Sequence, residues 1–169
     1  MTVWRAIVLV TCGTAVATLS TIKGAQPLYI WNASESVPIG LYRVQAAEKL
    51  FVTELVAVRP PERLAQFLDR NGYLPIGVPM LKHVWALPGQ RVCRSGLTIS
   101  IDGREMGNAR ERDASGRRLP VWQGCRIIAA DELFLMNPQS ARSLDGRYFG
   151  PIAISAVIGR ALPLWTGDK

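Results

Sequence analysis

Hydrophobic and polar positions along the chain fall into three regimes. The first is a run of seventeen uncharged residues, Ala6 to Ile22, rich in Val, Ala, Leu and Thr and bounded by Arg5 and Lys23. A run of that length sits at the lower limit for a helix crossing a bilayer core of about 30 Å, and it lacks the polar face of a surface helix. The second regime begins near residue 38, where short apolar stretches are broken by Pro and Gly. This pattern predicts strands over Gly40–Val44, Glu54–Val58, Met80–Ala86, Arg91–Cys93, Leu97–Ile101, Arg126–Ile128, Leu133–Met136 and Ile152–Arg160. One helix interrupts them: Pro61 precedes Glu62–Leu68, apolar residues stand at 64, 67 and 68, and Gly72 lies just past the end. The third regime is the polar stretch Gly103–Gly116, which with Arg104, Arg110, Arg112, Arg117 and Arg118 reads as a solvated hairpin or loop. The expected fold is mainly β: a coiled, partly closed antiparallel sheet with one short helix, preceded by an N-terminal hydrophobic helix.

At 169 residues the chain has room for one domain, 24–169, after a segment 1–23 that reads as a signal anchor or a cleaved signal peptide. Ala15-Val16-Ala17 has the small-x-small pattern of a cleavage site, but the only charges ahead of it are Arg5 and the amino terminus. Either way, the chain beyond Lys23 is expected outside the cytoplasm. The net charge of +7 suits a nucleic acid or an anionic membrane surface. No aromatics interleave with the arginines as a nucleic-acid platform requires, so membrane lipid is the expected partner and nucleic acid is not. A single histidine, His83, rules out a multi-His metal centre, and neither metal nor cofactor is expected. It also directs the search for a catalytic base toward lysine. Cys93 and Cys125 are a candidate disulfide in an oxidising compartment, with two buried thiols as the alternative, while Cys12 lies in the hydrophobic run.

Three short segments carry chemistry. In Asn32-Ala33-Ser34-Glu35-Ser36-Val37-Pro38-Ile39-Gly40-Leu41-Tyr42, two hydroxyls at i and i+2 precede a Pro/Gly turn, which presents Ser36 as a nucleophile beside a second donor, Ser34. In Pro79-Met80-Leu81-Lys82-His83-Val84-Trp85-Ala86-Leu87-Pro88-Gly89, Lys82 stands among apolar neighbours. If it faces inward, desolvation lowers its pKa toward about 7–8, and a neutral amine can take a serine proton. His83 points to the opposite face of the strand and reads as structural. In Ser143-Leu144-Asp145-Gly146-Arg147-Tyr148-Phe149-Gly150-Pro151, an extended backbone would place Ser143, Asp145 and Arg147 on one side, with the hydroxyl within reach of the lysine amine and Asp145 paired to Arg147.

Together, in this order and behind a hydrophobic segment, these motifs resemble the bacterial type I signal peptidases, and in particular their conjugative-transfer branch, the TraF-type peptidases, over almost the whole chain. The resemblance implies Ser36 as acylating nucleophile and Lys82 as general base. It implies that Ser34 joins the Ser36 N–H in the oxyanion hole, that Ser143 orients Lys82, and that Asp145 is needed, with Arg147 as its support. It implies a single-pass protein of the inner membrane with a periplasmic catalytic domain. The expected substrate is an exported precursor with small residues before the cut, above all the pilin of a conjugative transfer system, released by hydrolysis or by head-to-tail cyclisation. One departure stands out: a single residue, Val37, separates Ser36 from Pro38, where housekeeping leader peptidases have Ser-Met-x-Pro. The alternatives are a housekeeping signal peptidase and a non-catalytic membrane-anchored component of a pilus or secretion apparatus.

Overall fold

The computed structural model describes residues 28–167, so the expected anchor or signal peptide at 1–23 lies outside the described residues. Among the described residues no helix is long and apolar enough to cross a membrane. The larger of two sheets has the order β1 (Tyr29–Asn32), β2 (Gly40–Gln45), β11 (Val157–Thr166), β3 (Leu55–Val58), β4 (Met80–Ala86), β9 (Glu132–Met136) and β10 (Ile152–Ala153). The smaller has the order β7 (Arg104–Asn108), β6 (Thr98–Ile101), β5 (Arg91–Ser95) and β8 (Gly124–Ile127). Every ladder is antiparallel. Helix α1 (Glu62–Arg70) buries Leu64 and Leu68 and stops at Asn71, whose side chain bonds the Phe67 carbonyl ahead of Gly72. The mainly β expectation holds, with a second, four-residue helix, α2 (Gly146–Phe149), added.

Two expectations need correction. The continuous strand expected over Ile152–Arg160 is divided: Ile152–Ala153 pairs with β9, a 3-10 turn spans Ile154–Ala156, and β11 then pairs with both β3 and β2. The chain has to change sheet partner there, and an unbroken apolar run of Ile, Ala and Val hides the turn. The Gly103–Gly116 stretch is only partly a solvated loop. Its first residues form β7 on β6, and beyond it Ala109 and Leu119 are buried against Tyr148.

β11 lies between β2 and β3, and glycine makes the fit possible. A Cβ at Gly159 would overlap the Gln45 carbonyl, and one at Gly40 would overlap the Trp165 carbonyl. Ile30, Val37, Tyr42, Val44, Ala57, Leu81 and Ala161 then form one buried cluster. It draws on β1, the β1–β2 loop, β2, β3, β4 and β11. β2, β11, β3 and β4 are consecutive neighbours, so these side chains run together across the sheet, which coils as antiparallel sheets do.

Cys93 and Cys125 face each other across the β5–β8 ladder and are joined by a disulfide that closes a sequence separation of 32 residues. Constraining a loop of that length in the unfolded chain contributes roughly 3–4 kcal/mol. Replacing both cysteines by Ser is expected to lower unfolding stability in urea by that order, with no further loss on adding reductant. A variant as stable as the oxidised parent would show the bridge to be dispensable.

Candidate active site

The β1–β2 loop carries Ser34 and Ser36 on a hydrophobic mount. Val37, next to Ser36, is buried in the same cluster as Leu81, next to Lys82. Tyr42 secures the loop further by donating from its hydroxyl to the Pro38 carbonyl at 2.6 Å. Ser36 is thereby left half-buried at the edge of a groove of about 570 Å³ that Lys82, Ser34 and Ser143 also line. The groove walls include Ile30, Met80, Leu81 and Leu144, which give it a partly apolar lining.

Lys82 stands on β4 opposite Val56 of β3 and is buried, 6% exposed. Its Nζ donates to Ser143 Oγ at 2.8 Å. Desolvation lowers the amine to about 8, helped by the Arg147 guanidinium and opposed by the Asp145 carboxylate. A lysine there is half neutral at about pH 8, without any carboxylate in direct contact.

Ser143, Asp145 and Arg147 do come together, although not on an extended strand. Asp145 is the N-cap of α2, its side chain accepting from the Arg147 N–H, and the turn folds the Arg147 side chain back onto Asp145. The pair is fully buried: Nε–Oδ1 is 2.9 Å and Nη2–Oδ2 is 3.0 Å. Arg147 Nη2 also donates to the carbonyls of Ser140 and Ser143, at 2.7 and 3.1 Å. The ion pair therefore clasps the loop that carries Ser143, and Ser143 in turn holds the lysine.

Sequence reasoning missed two asparagines. Asn137, fully buried at the end of β9, donates from Nδ2 to the Leu81 carbonyl and accepts at Oδ1 from the His83 N–H, gripping the backbone on both sides of Lys82. Its own N–H donates to Asp145 Oδ2, and His83 Nδ1 lies 2.9 Å from its Oδ1. Asn32 does the equivalent for the serine loop, with five hydrogen bonds to residues 34–38. The available signal was a polar amide closing an apolar strand, Phe-Leu-Met-Asn in one case and Tyr-Ile-Trp-Asn in the other.

The family profile described as signal peptidase, peptidase S26, matches residues 1–165. The chain belongs to this family. As a signal peptidase it falls in the conjugative-transfer branch: the conjugal transfer protein TraF of Agrobacterium fabrum (strain C58 / ATCC 33970) is 36% identical over 127 residues, covering 69% of this chain and 70% of that protein. Among solved structures, a signal peptidase I from Enterococcus faecalis V583 is similar at 18% identity and a TM-score of 0.41, covering 68% of this chain and 98% of that one.

Proposed function

We propose that this signal peptidase is a membrane-anchored serine endopeptidase in which Ser36 is the nucleophile and Lys82 the general base, acting on exported precursors of a conjugative transfer system, with the pilin first among them. The observation that carries the reading is a buried amine, lowered to about 8, lining the same groove as a half-buried serine hydroxyl. Ser36 Oγ attacks the scissile carbonyl carbon while neutral Lys82 accepts its proton. The oxyanion is held by the Ser36 N–H and the Ser34 hydroxyl. Lys82 then passes the proton to the departing amine, leaving an acyl-enzyme. Water resolves it to a trimmed chain; the precursor's own amino terminus, reaching the same carbonyl, resolves it to a cyclic one. Ser143 orients the amine, and the Asp145–Arg147 clasp orients Ser143.

The conjugal relative supports the choice of substrate. Purified protein incubated with a pilin precursor tests it: cleavage after small residues is expected, and mass spectrometry separates the two products because the cyclic one is lighter by one water. A precursor left intact by active protein would overturn the pilin assignment.

Anchoring is supported by an apolar patch on the edge of the sheet that the chain reaches on leaving segment 1–23. Trp31 and Trp165 stack at 5.7 Å between ring centroids, both exposed, beside exposed Leu28, Tyr29 and Leu164. Tryptophan and tyrosine in such a patch suit the headgroup level of a bilayer. Replacing both tryptophans by Ala in residues 28–167 is expected to weaken binding to anionic vesicles by at least about tenfold. Unchanged partitioning would remove the patch from the membrane contact.

A further inference from the structure

Ser34 has a competitor for its proton. Asn32 ends β1, is 8% exposed, and donates from Nδ2 to the carbonyls of Ser34 at 2.8 Å, Pro38 at 3.0 Å and Val37 at 3.1 Å. Three carbonyl oxygens around one end fix which end of the amide is the nitrogen. The other end, Oδ1, can only accept, and it faces the Ser34 N–H at 3.2 Å and the Ser34 hydroxyl at 3.1 Å. Ser34 Oγ also lies 2.9 Å from Ser36 Oγ, a contact in which either hydroxyl can be the donor. A serine has one proton to give. When Ser34 gives it to Asn32, the bond between the two hydroxyls has to use the Ser36 proton. The order is then Ser36 O–H to Ser34 Oγ, and Ser34 O–H to Asn32 Oδ1.

In that order neither hydroxyl is ready. The Ser36 proton points toward Ser34 rather than toward Lys82, and the Ser34 proton points toward Asn32 rather than toward a developing oxyanion. We propose that Asn32 is a positioning residue: it holds Ser34 Oγ beside Ser36, parks the serine pair in the empty groove, and keeps the Ser34 hydroxyl placed to turn its proton to a substrate carbonyl when that carbonyl replaces Oδ1 as acceptor. The exchange trades one neutral acceptor for another that gains negative charge as Ser36 adds, so it favours the transition state over the ground state. Once Ser34 has turned, Ser36 is free to donate to Lys82. Asn32 lines the groove but is only 8% exposed there, and it acts through Ser34. The three Nδ2 bonds keep the 34–38 turn in place throughout, so only one proton has to move.

This inference rests on Ser36 and Lys82 being the dyad, and the experiment separates the two claims. kcat and KM are measured on a soluble precursor peptide for Asn32→Ala, Ser34→Ala and the double variant, with Ser36→Ala as the blank and thermal melting as the check on folding. Asn32→Ala is expected to lower kcat by about 10- to 100-fold, because Ser34 Oγ is no longer held where the oxyanion forms, with KM within about threefold, because Asn32 is nearly buried in the groove it lines. In the Ser34→Ala background the same change is expected to cost less than about threefold, because the hydroxyl it acts through is gone. The rise of rate with pH is expected to keep its midpoint, because Lys82 is not touched. Equal losses in both backgrounds, a loss carried by KM, or a displaced midpoint would each overturn the proposal. So would full kcat in Asn32→Ala alongside a silent Ser36→Ala. If Asn32→Ala does not fold, Asn32→Leu, which keeps the side-chain volume and removes the acceptor facing Ser34, carries the same comparison. A Ser36→Ala variant that still turns over would instead overturn the dyad.

Discussion

Replacing Ser36 with Ala is expected to slow cleavage of a cognate precursor by at least about 10³-fold while leaving the fold intact. The hydroxyl is half-buried at a groove edge and contacts Ser34 Oγ, so its removal empties no cavity and orphans no buried group. Replacing Lys82 with Met, which keeps the stem volume and discards the amine, is expected to cost a similar factor. Nucleophile and base serve one step, so the double variant should be about as slow as either single one. Measurable processing retained in both single variants would sink the Ser36–Lys82 assignment and return the chain to the non-catalytic alternative.

The second large effect is a dependence on pH that activity and stability share. Because the amine must be neutral to accept the Ser36 proton, the rate should rise with pH through a midpoint near the Lys82 value of about 8 and flatten above it. The same shift makes protonated Lys82 a burden on the fold. Its pKa is lower in the folded chain than its ordinary 10.5, so below about pH 8 the folded state holds a charge that the unfolded state carries more easily. The gap corresponds to roughly 3 kcal/mol, and it is relieved as pH rises from about 8 toward 10.5. Lys82→Met should therefore be more stable than the parent at pH 6–7 by about that much, with the advantage fading above pH 8. A parent equally stable relative to Lys82→Met at all pH values would mean the amine is solvated. Asp145→Asn should move the midpoint of activity downward, since it removes the charge that raises the Lys82 pKa.

The residues of the candidate site could be picked out in the sequence because the signals are local. Ser34 and Ser36 lie two positions apart, and Lys82 is conspicuous as a charge inside Met80–Ala86, a strand whose observed bounds match the expected ones. The same holds for Ser143, Asp145 and Arg147 as a group, although their spacing suggested a strand where the structure has a capped helical turn. An aspartate ahead of Gly is as good a helix cap as a strand residue, and only packing decides. β1 and β7 were not legible. Tyr29–Asn32 and Arg104–Asn108 lack a clean alternation, and each is held by its ladder to one neighbour, β2 and β6. Asn32 and Asn137 were hidden for a related reason: an asparagine becomes a hub only where separate stretches of backbone meet around it, and that meeting is tertiary.

β11 joins two halves that the ribosome makes at different times. The Ser36 loop belongs to the β1–β2 hairpin and Lys82 to the β3–β4 pair, and in the sheet each is bonded to β11, which comes after both. While the chain is still emerging, the hairpin has no ladder to the lysine strand, and the cluster holding Val37 beside Leu81 lacks Ala161. Long-range pairing of this kind forms late, because the closure entropy of the loop comes before its reward. A chain that has not yet made β11 thus carries Ser36 and Lys82 on two strand pairs with no ladder between them. Formation of the β11 ladders, so close at Gly159 that a Cβ would meet the Gln45 carbonyl, is what sets the two proposed catalytic residues in one sheet.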